Sequence, residues 1–194
     1  MGGFGTSRTR PHEPPMPEPL AYFLTWPTYG TWLPGDERGW VLYGKGSQPA
    51  DPVRKLEAEA RMTEDVCILD QEQRRLVEKT IADHCRIRGW ELHAVNCRSN
   101  HLHVVVTANR DPEEVREQFK AWCTRKLKEL ERVRQSGAGE LAPFNEHGPS
   151  NEHGPSLARR VSVREKWWAE RGSRRYIGDQ EGLEAAIRYV LEGQ

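Results

Sequence analysis

The sequence contains no apolar run approaching the roughly 18 residues that a membrane-spanning helix needs, which speaks against an integral helical membrane protein. It also has no excess of either charge. Its 29 Lys and Arg balance 29 Asp and Glu, so total charge implies neither a polyanion nor a polycation as partner. Cysteine is sparse. Cys67, Cys85, Cys97 and Cys123 are scattered and form no CxxC pair, which excludes a zinc ribbon and a disulfide framework and fits a reducing, intracellular setting. Residues 1–19 are rich in Gly, Pro and Arg but lack the apolar core of a secretory signal, and they read as a flexible leader. With 36% hydrophobic and 30% charged residues, residues 20–194 have the composition of one soluble domain, long enough to bury a core.

The charges that are present are unevenly placed. Glu57, Glu59, Glu64, Asp65, Asp70 and Glu72 make one stretch acidic. Between Leu157 and Tyr176, by contrast, Arg159, Arg160, Arg164, Lys166, Arg171, Arg174 and Arg175 face only Glu165 and Glu170. A neutral chain with such a basic third can present a phosphate-binding face, although a solvated charged surface has the same composition. Arg164, Lys166, Arg171, Arg174 and Arg175 are the candidates for that face.

Periodicity predicts the elements. The aromatic run at 21–25 (AYFLT) reads as a strand, Val41–Tyr43 as a short strand and 44–51 as loop. Leu76, Val77, Ile81 and Cys85 fall at helical spacing between Asp70 and Arg88, and Gly89 stops that helix. Two strand-like runs follow, WELHAVNC (90–97) and HLHVVVTA (101–108), joined by a connection short enough for a hairpin. Asp111, Pro112, Glu113 and Glu114 open a second helix with a cap, a first-turn proline and acidic residues at the positive pole. Residues 166–177 suggest a strand or hairpin, and Asp179 caps a last helix. The resulting fold class is α+β: a ferredoxin-like sandwich with helices on a mostly antiparallel sheet. Strand order does not follow from the pattern. The hexapeptide NEHGPS stands twice in tandem at 145–150 and 151–156, inside a variable loop at about 135–160. A perfect duplication marks a segment tolerant of length change, so His147 and His153 read as loop residues rather than ligands.

Two features could carry chemistry. His101 and His103 flank Leu102 in a strand, so both imidazoles share one face and could hold one divalent ion. A pair of half-exposed strand histidines has the same spacing. Rings beside the apolar Val104–Val106 run nevertheless need a partner to offset desolvation. Tyr189 lies on the last helix. At about 100° per residue, Leu183, Ile187 and Val190 form the apolar sector and Tyr189 lies nearly opposite, with Gly182, Ala185 and Gly193. An ordinary surface tyrosine would also occupy that position.

Together these segments resemble a known family. RSNHLHVVV (98–106) resembles the signature of single-tyrosine HUH transposases, in which U is hydrophobic, and EGLEAAIRYVLEGQ (181–194) resembles the helix bearing their tyrosine. The likeness is greatest to transposases of the REP-associated tyrosine type, and the order of elements agrees with it. The resemblance implies a transposase-like endonuclease and strand transferase with His101 and His103 as metal ligands and Tyr189 as nucleophile. It also implies Mg²⁺ or Mn²⁺ as cofactor, single-stranded or hairpin DNA as partner, and a 5′-phosphotyrosine intermediate. No membrane is involved; a bacterial, cytoplasmic protein, nucleoid-associated on DNA, is implied, with a homodimer allowed. Such enzymes often place Gln or Asn four residues after the tyrosine as third ligand. That position is Gly193 here, flanked by Glu192 and Gln194 as the two candidates. Two other readings stand beside this one. The first is a domesticated, catalytically inactive hairpin-DNA-binding protein. The second is a structural zinc site in which His93 or Cys97, read as sharing a strand face, joins the HxH pair.

Overall fold

A computed structural model describes residues 19–42, 44–138 and 163–192. The expected leader up to residue 18, the NEHGPS pair, Tyr43 and Gln194 lie outside those residues. The elements run β1 (Ala21–Pro27), β2 (Trp40–Leu42), β3 (Gly46–Gln48), α1 (Pro52–Ala60), α2 (Gln71–Arg88), β4 (Glu91–Cys97), β5 (His101–Thr107), α3 (Pro112–Ala138), β6 (Ser173–Ile177) and α4 (Gln180–Glu192). Among the described residues, no helix is long and apolar enough to cross a membrane.

Four strands form the main sheet in the order β4-β5-β1-β6, with every neighbouring pair antiparallel. This is the expected α+β architecture: the first strand sits inside the sheet, and the β4–β5 hairpin packs beside it. Period-two alternation gives each face its own core. Leu24, Trp26, Leu102, Val104 and Val106 point to α2 and α3, where they meet Val77, Ile81, Phe119 and Leu127. Ala21, Val105 and Ile177 point the other way, to Leu183, Ala186 and Val190 of α4. Fully burying side chains of this size stabilises the fold by roughly 1.5–3 kcal/mol each, so both faces hold their helices firmly.

Local chemistry sets the helix ends. Asp70 and Gln73 form a reciprocal capping box at α2. Gly89 ends that helix at φ +67°, a left-handed cap that glycine adopts without strain. Arg134 of α3 pairs with Asp70 and Glu72, tying the two helices together. At α4, the Asp179 carboxylate accepts from the Gly182 N–H at 2.7 Å.

Two elements differ from the sequence expectation. The segment read as loop at 44–51 contains β3, which pairs with β2. The acidic stretch begins inside a helix, α1, capped by Asp51 and opened by Pro52. Val53, Leu56 and Ala60 recur in it at helical spacing, but no residue of α1 is buried. It is docked through Gly35, whose carbonyl accepts from the Asp51 N–H at 3.0 Å. A Cβ at Gly35 would stand 2.3 Å from the Asp51 carbonyl oxygen, so only glycine permits this approach.

Candidate functional site

The α4-facing side of the sheet carries the histidines. Register places His101 opposite Pro27 and His103 opposite Thr25 on β1, with Asn96 of β4 opposite His103 on its other side. The two imidazoles share a face as the alternation requires, their ring centres 4.8 Å apart and nearly perpendicular. His103 is buried and His101 half-buried. The Thr25 hydroxyl meets His103 Nδ1 at 2.8 Å, and Asn100 Oδ1 meets His101 Nδ1 at 2.7 Å. The partners that offset their desolvation are therefore, at least in part, neutral oxygens. Fixing Nδ1 in this way orients a histidine to bind a metal through Nε2.

Tyr189 comes to the same place from the far end of the chain. Its ring centre lies 5.6 Å from His103 and 5.9 Å from Phe23, edge to face with both. Phe23 in turn stacks on His103 at 5.5 Å. Tyr189 is 48% exposed, so it occupies the flank of α4 rather than the side opposite the core. Ala186, which is buried, extends the packed sector toward it. The Asn96 carboxamide donates to the Val190 carbonyl at 2.8 Å and pins this turn of α4 to the sheet. Phe23, Thr25 and Asn96 were not singled out from the sequence. Their strand alternation predicts a shared face, but not that this face meets α4.

Tyr176, a second exposed tyrosine near the end of the chain, does not join this cluster. Tyr176 pairs with Tyr22 in register and packs edge to face on it at 5.7 Å, on the sheet face opposite the imidazoles. Of the metal candidates, Glu192 is exposed. Among the described residues no three His, Cys, Asp or Glu side chains are grouped to hold a metal, so Glu192 is not brought to the pair. The donor set present is two imidazoles on one face, which suits part of a divalent ion's coordination shell.

A bulge corrects the expectation that His93 and Cys97 share a strand face. The β4–β5 register shifts between Leu92 and Ala94, and this extra residue reverses the parity of the strand. His93 lies on the α4 side, where its Nε2 meets the Thr107 hydroxyl at 2.8 Å. Cys97 instead pairs with Leu102 and is buried in the core under α2 and α3. The two do not share a face. Burial also pushes the Cys97 thiol up, away from the thiolate a metal would need.

The five basic candidates do not form one patch. Arg164 donates to the Asp65 carbonyl at 2.9 Å and to the Lys166 carbonyl at 3.2 Å, and pairs with Glu64 at 3.6 Å. Lys166 lies over the Tyr29 ring, and Arg171 is exposed just before β6. Arg174 stands opposite Leu24 and reaches Glu113 on the α3 side. Arg175 stands opposite Phe23, its guanidinium 5.3 Å from that ring's centre. It therefore lies on the face with His103 and Tyr189.

No protein-family profile matches the chain, and no curated protein matches it. The chain is similar to a solved structure of a REP-associated tyrosine transposase bound to a REP hairpin, at 12% identity and a TM-score of 0.42. The match covers 88% of this chain and 63% of that one, so the chain spans less than two thirds of that protein's length.

Proposed function

We propose that this chain is a metal-dependent, transposase-like endonuclease and strand transferase acting on single-stranded or hairpin DNA, with Tyr189 as its nucleophile. One observation carries the reading: α4 brings Tyr189 within 5.6 Å of His103 on the sheet face shared with His101. The sequence resemblance at 98–106 and 181–194 supports the same roles.

The Tyr189 phenol oxygen attacks a backbone phosphorus and displaces the 3′-oxygen. The Oη–P bond forms, the P–O3′ bond breaks, the phenol gives up its proton and the 3′-oxygen leaves as a hydroxyl. A 5′-phosphotyrosine remains, and attack by a 3′-hydroxyl restores a phosphodiester and the phenol. The ester conserves the energy of the broken bond, so rejoining needs no nucleotide. His101 and His103 are the residues that would hold Mg²⁺ or Mn²⁺, which when bound polarises a non-bridging phosphate oxygen. Thr25 and Asn100 hold the imidazoles in orientation, Phe23 supports the His103 and Tyr189 rings, and Arg175 offers a cation on the same face.

The second reading is a hairpin-DNA binder that does not cut. It is favoured by the lack of a third His, Cys, Asp or Glu beside the pair among the described residues. Labelled hairpin DNA incubated with Mn²⁺ and then denatured separates the two. The first reading expects a covalent adduct that maps to Tyr189, is lost in Tyr189→Phe, and disappears in His101→Ala while binding persists. Binding with no adduct in the wild type would favour the second, and an adduct on another tyrosine would overturn the assignment.

A further inference from the structure

At the other end of the β4–β5 hairpin from His101 lies a polar pocket with a volume of about 350 Å³, lined by Arg88, Trp90, Asn109, Arg110 and Gln118. Four segments contribute to it: the last residue of α2, the residue just before β4, the turn after β5 and one face of α3. The oxygens of its two carboxamides are each engaged by a ring nitrogen. Asn109 Oδ1 accepts from the Trp90 indole N–H at 3.1 Å, a bond whose direction is fixed because indole nitrogen only donates. Gln118 Oε1 lies 3.2 Å from Nε2 of buried His84 and takes its hydrogen. Burial, helped by the charge of Arg88, lowers the His84 pKa. Neither amide NH₂ group has a hydrogen-bond partner among the described residues, so both remain available as donors. Neither Arg88 nor Arg110 has a carboxylate partner among the described residues.

Neighbouring acceptors are already engaged. The carbonyls of Cys85 and Arg86 at the end of α2 accept from the Trp90 and Gly89 N–H groups. Asp111 Oδ1 is committed to the Glu113 N–H at the start of α3. The lining thus combines two guanidiniums with two carboxamides whose oxygens are already engaged and whose NH₂ groups are available. That set suits a tetrahedral oxyanion, whose oxygens only accept.

We propose that this pocket binds a phosphate group. The proposal does not depend on Tyr189 chemistry. A free phosphate and a phosphate within a DNA strand offer the same oxygens, and the experiment distinguishes them.

The test follows the Trp90 indole and the Asn109 and Gln118 amide NMR signals of the full chain. Inorganic phosphate and a 5′-phosphorylated oligothymidylate are titrated separately against chloride at matched ionic strength. Saturable shifts of these signals are expected, with the midpoint weakened about tenfold or more in Arg88→Gln/Arg110→Gln, because charge-assisted hydrogen bonds are lost. Unchanged thermal melting would show that the variant still folds. Tighter binding of the oligonucleotide than of inorganic phosphate assigns the pocket to a strand, and equal binding assigns it to a free phosphate. No saturable shift with either probe, or shifts that persist unchanged in a folded double variant, would overturn the proposal. Loss of the Tyr189 adduct leaves this test intact, so failure of the cleavage reading is separable.

Discussion

Thr25→Val is the sharpest perturbation of the site. Valine keeps the β-branched shape that suits β1 and removes only the hydroxyl that meets His103 Nδ1 at 2.8 Å. His103 is buried against Phe23, so water replaces the lost partner poorly. Withdrawing a hydrogen-bond partner from a buried polar atom costs about 1–3 kcal/mol. For a chain of this size each kcal/mol lowers the melting temperature by about 2–4 °C, so the expected drop is about 2–12 °C. The second consequence is functional. With Nδ1 no longer fixed, the ring loses its preferred orientation, and metal affinity should fall by about 10–100-fold. Circular dichroism melts and a Mn²⁺ titration of adduct yield read the two effects separately, and Thr25→Ser should restore both. If Thr25→Val melted with the wild type and kept its Mn²⁺ midpoint, the hydroxyl would not position the histidine, and this account of the site would fail.

Three further perturbations test other parts of the structure. Asn96→Leu removes the bond to the Val190 carbonyl. It should cost about 1 kcal/mol and speed hydrogen exchange in the last turn of α4 while leaving α2 protected. Gly172→Ala places a Cβ 2.3 Å from the Thr25 carbonyl oxygen and 2.8 Å from Trp26 Cβ; denaturant unfolding should show a loss of about 1–3 kcal/mol. Asp36 accepts hydrogen bonds from Arg38 that hold its pKa down from 3.8 to about 2. A depressed carboxylate stabilises the fold above its unfolded pKa, and that contribution disappears as pH falls through the folded value. Because Arg38 is half exposed, the loss between about pH 4 and pH 2 should be only about 1–2 kcal/mol, and Asp36→Asn should flatten it in urea titrations.

Much of this protein is determined locally and is therefore legible along the chain. Asp70 with Gln73 and Gly89 bound α2, Asp179 opens α4, and alternation puts His101 and His103 on one face, because caps and pleats depend on neighbours a few residues apart. The helix α1 escaped although Val53, Leu56 and Ala60 fall at helical spacing; the stripe is short and all three are exposed, so no core contact reinforces it.

Tertiary structure decided what alternation and helical angles leave open. A single bulge at His93 reverses strand parity and separates it from Cys97, and no local pattern announces that extra residue. Alternation alone sends Arg174 and Arg175 to opposite faces, but only the pairing of β6 with β1 decides that one reaches Glu113 and the other lies over Phe23. Tyr176 and Tyr189 are both exposed tyrosines near the end of the chain. Only the packing of α4 across β4 and β5 sets one beside His103, while strand pairing holds the other on the opposite face against Tyr22. The sequence by itself thus determined the chemical groups and their local direction. Which of them meet was decided by strand order and by the choice of sheet face, both products of long-range burial.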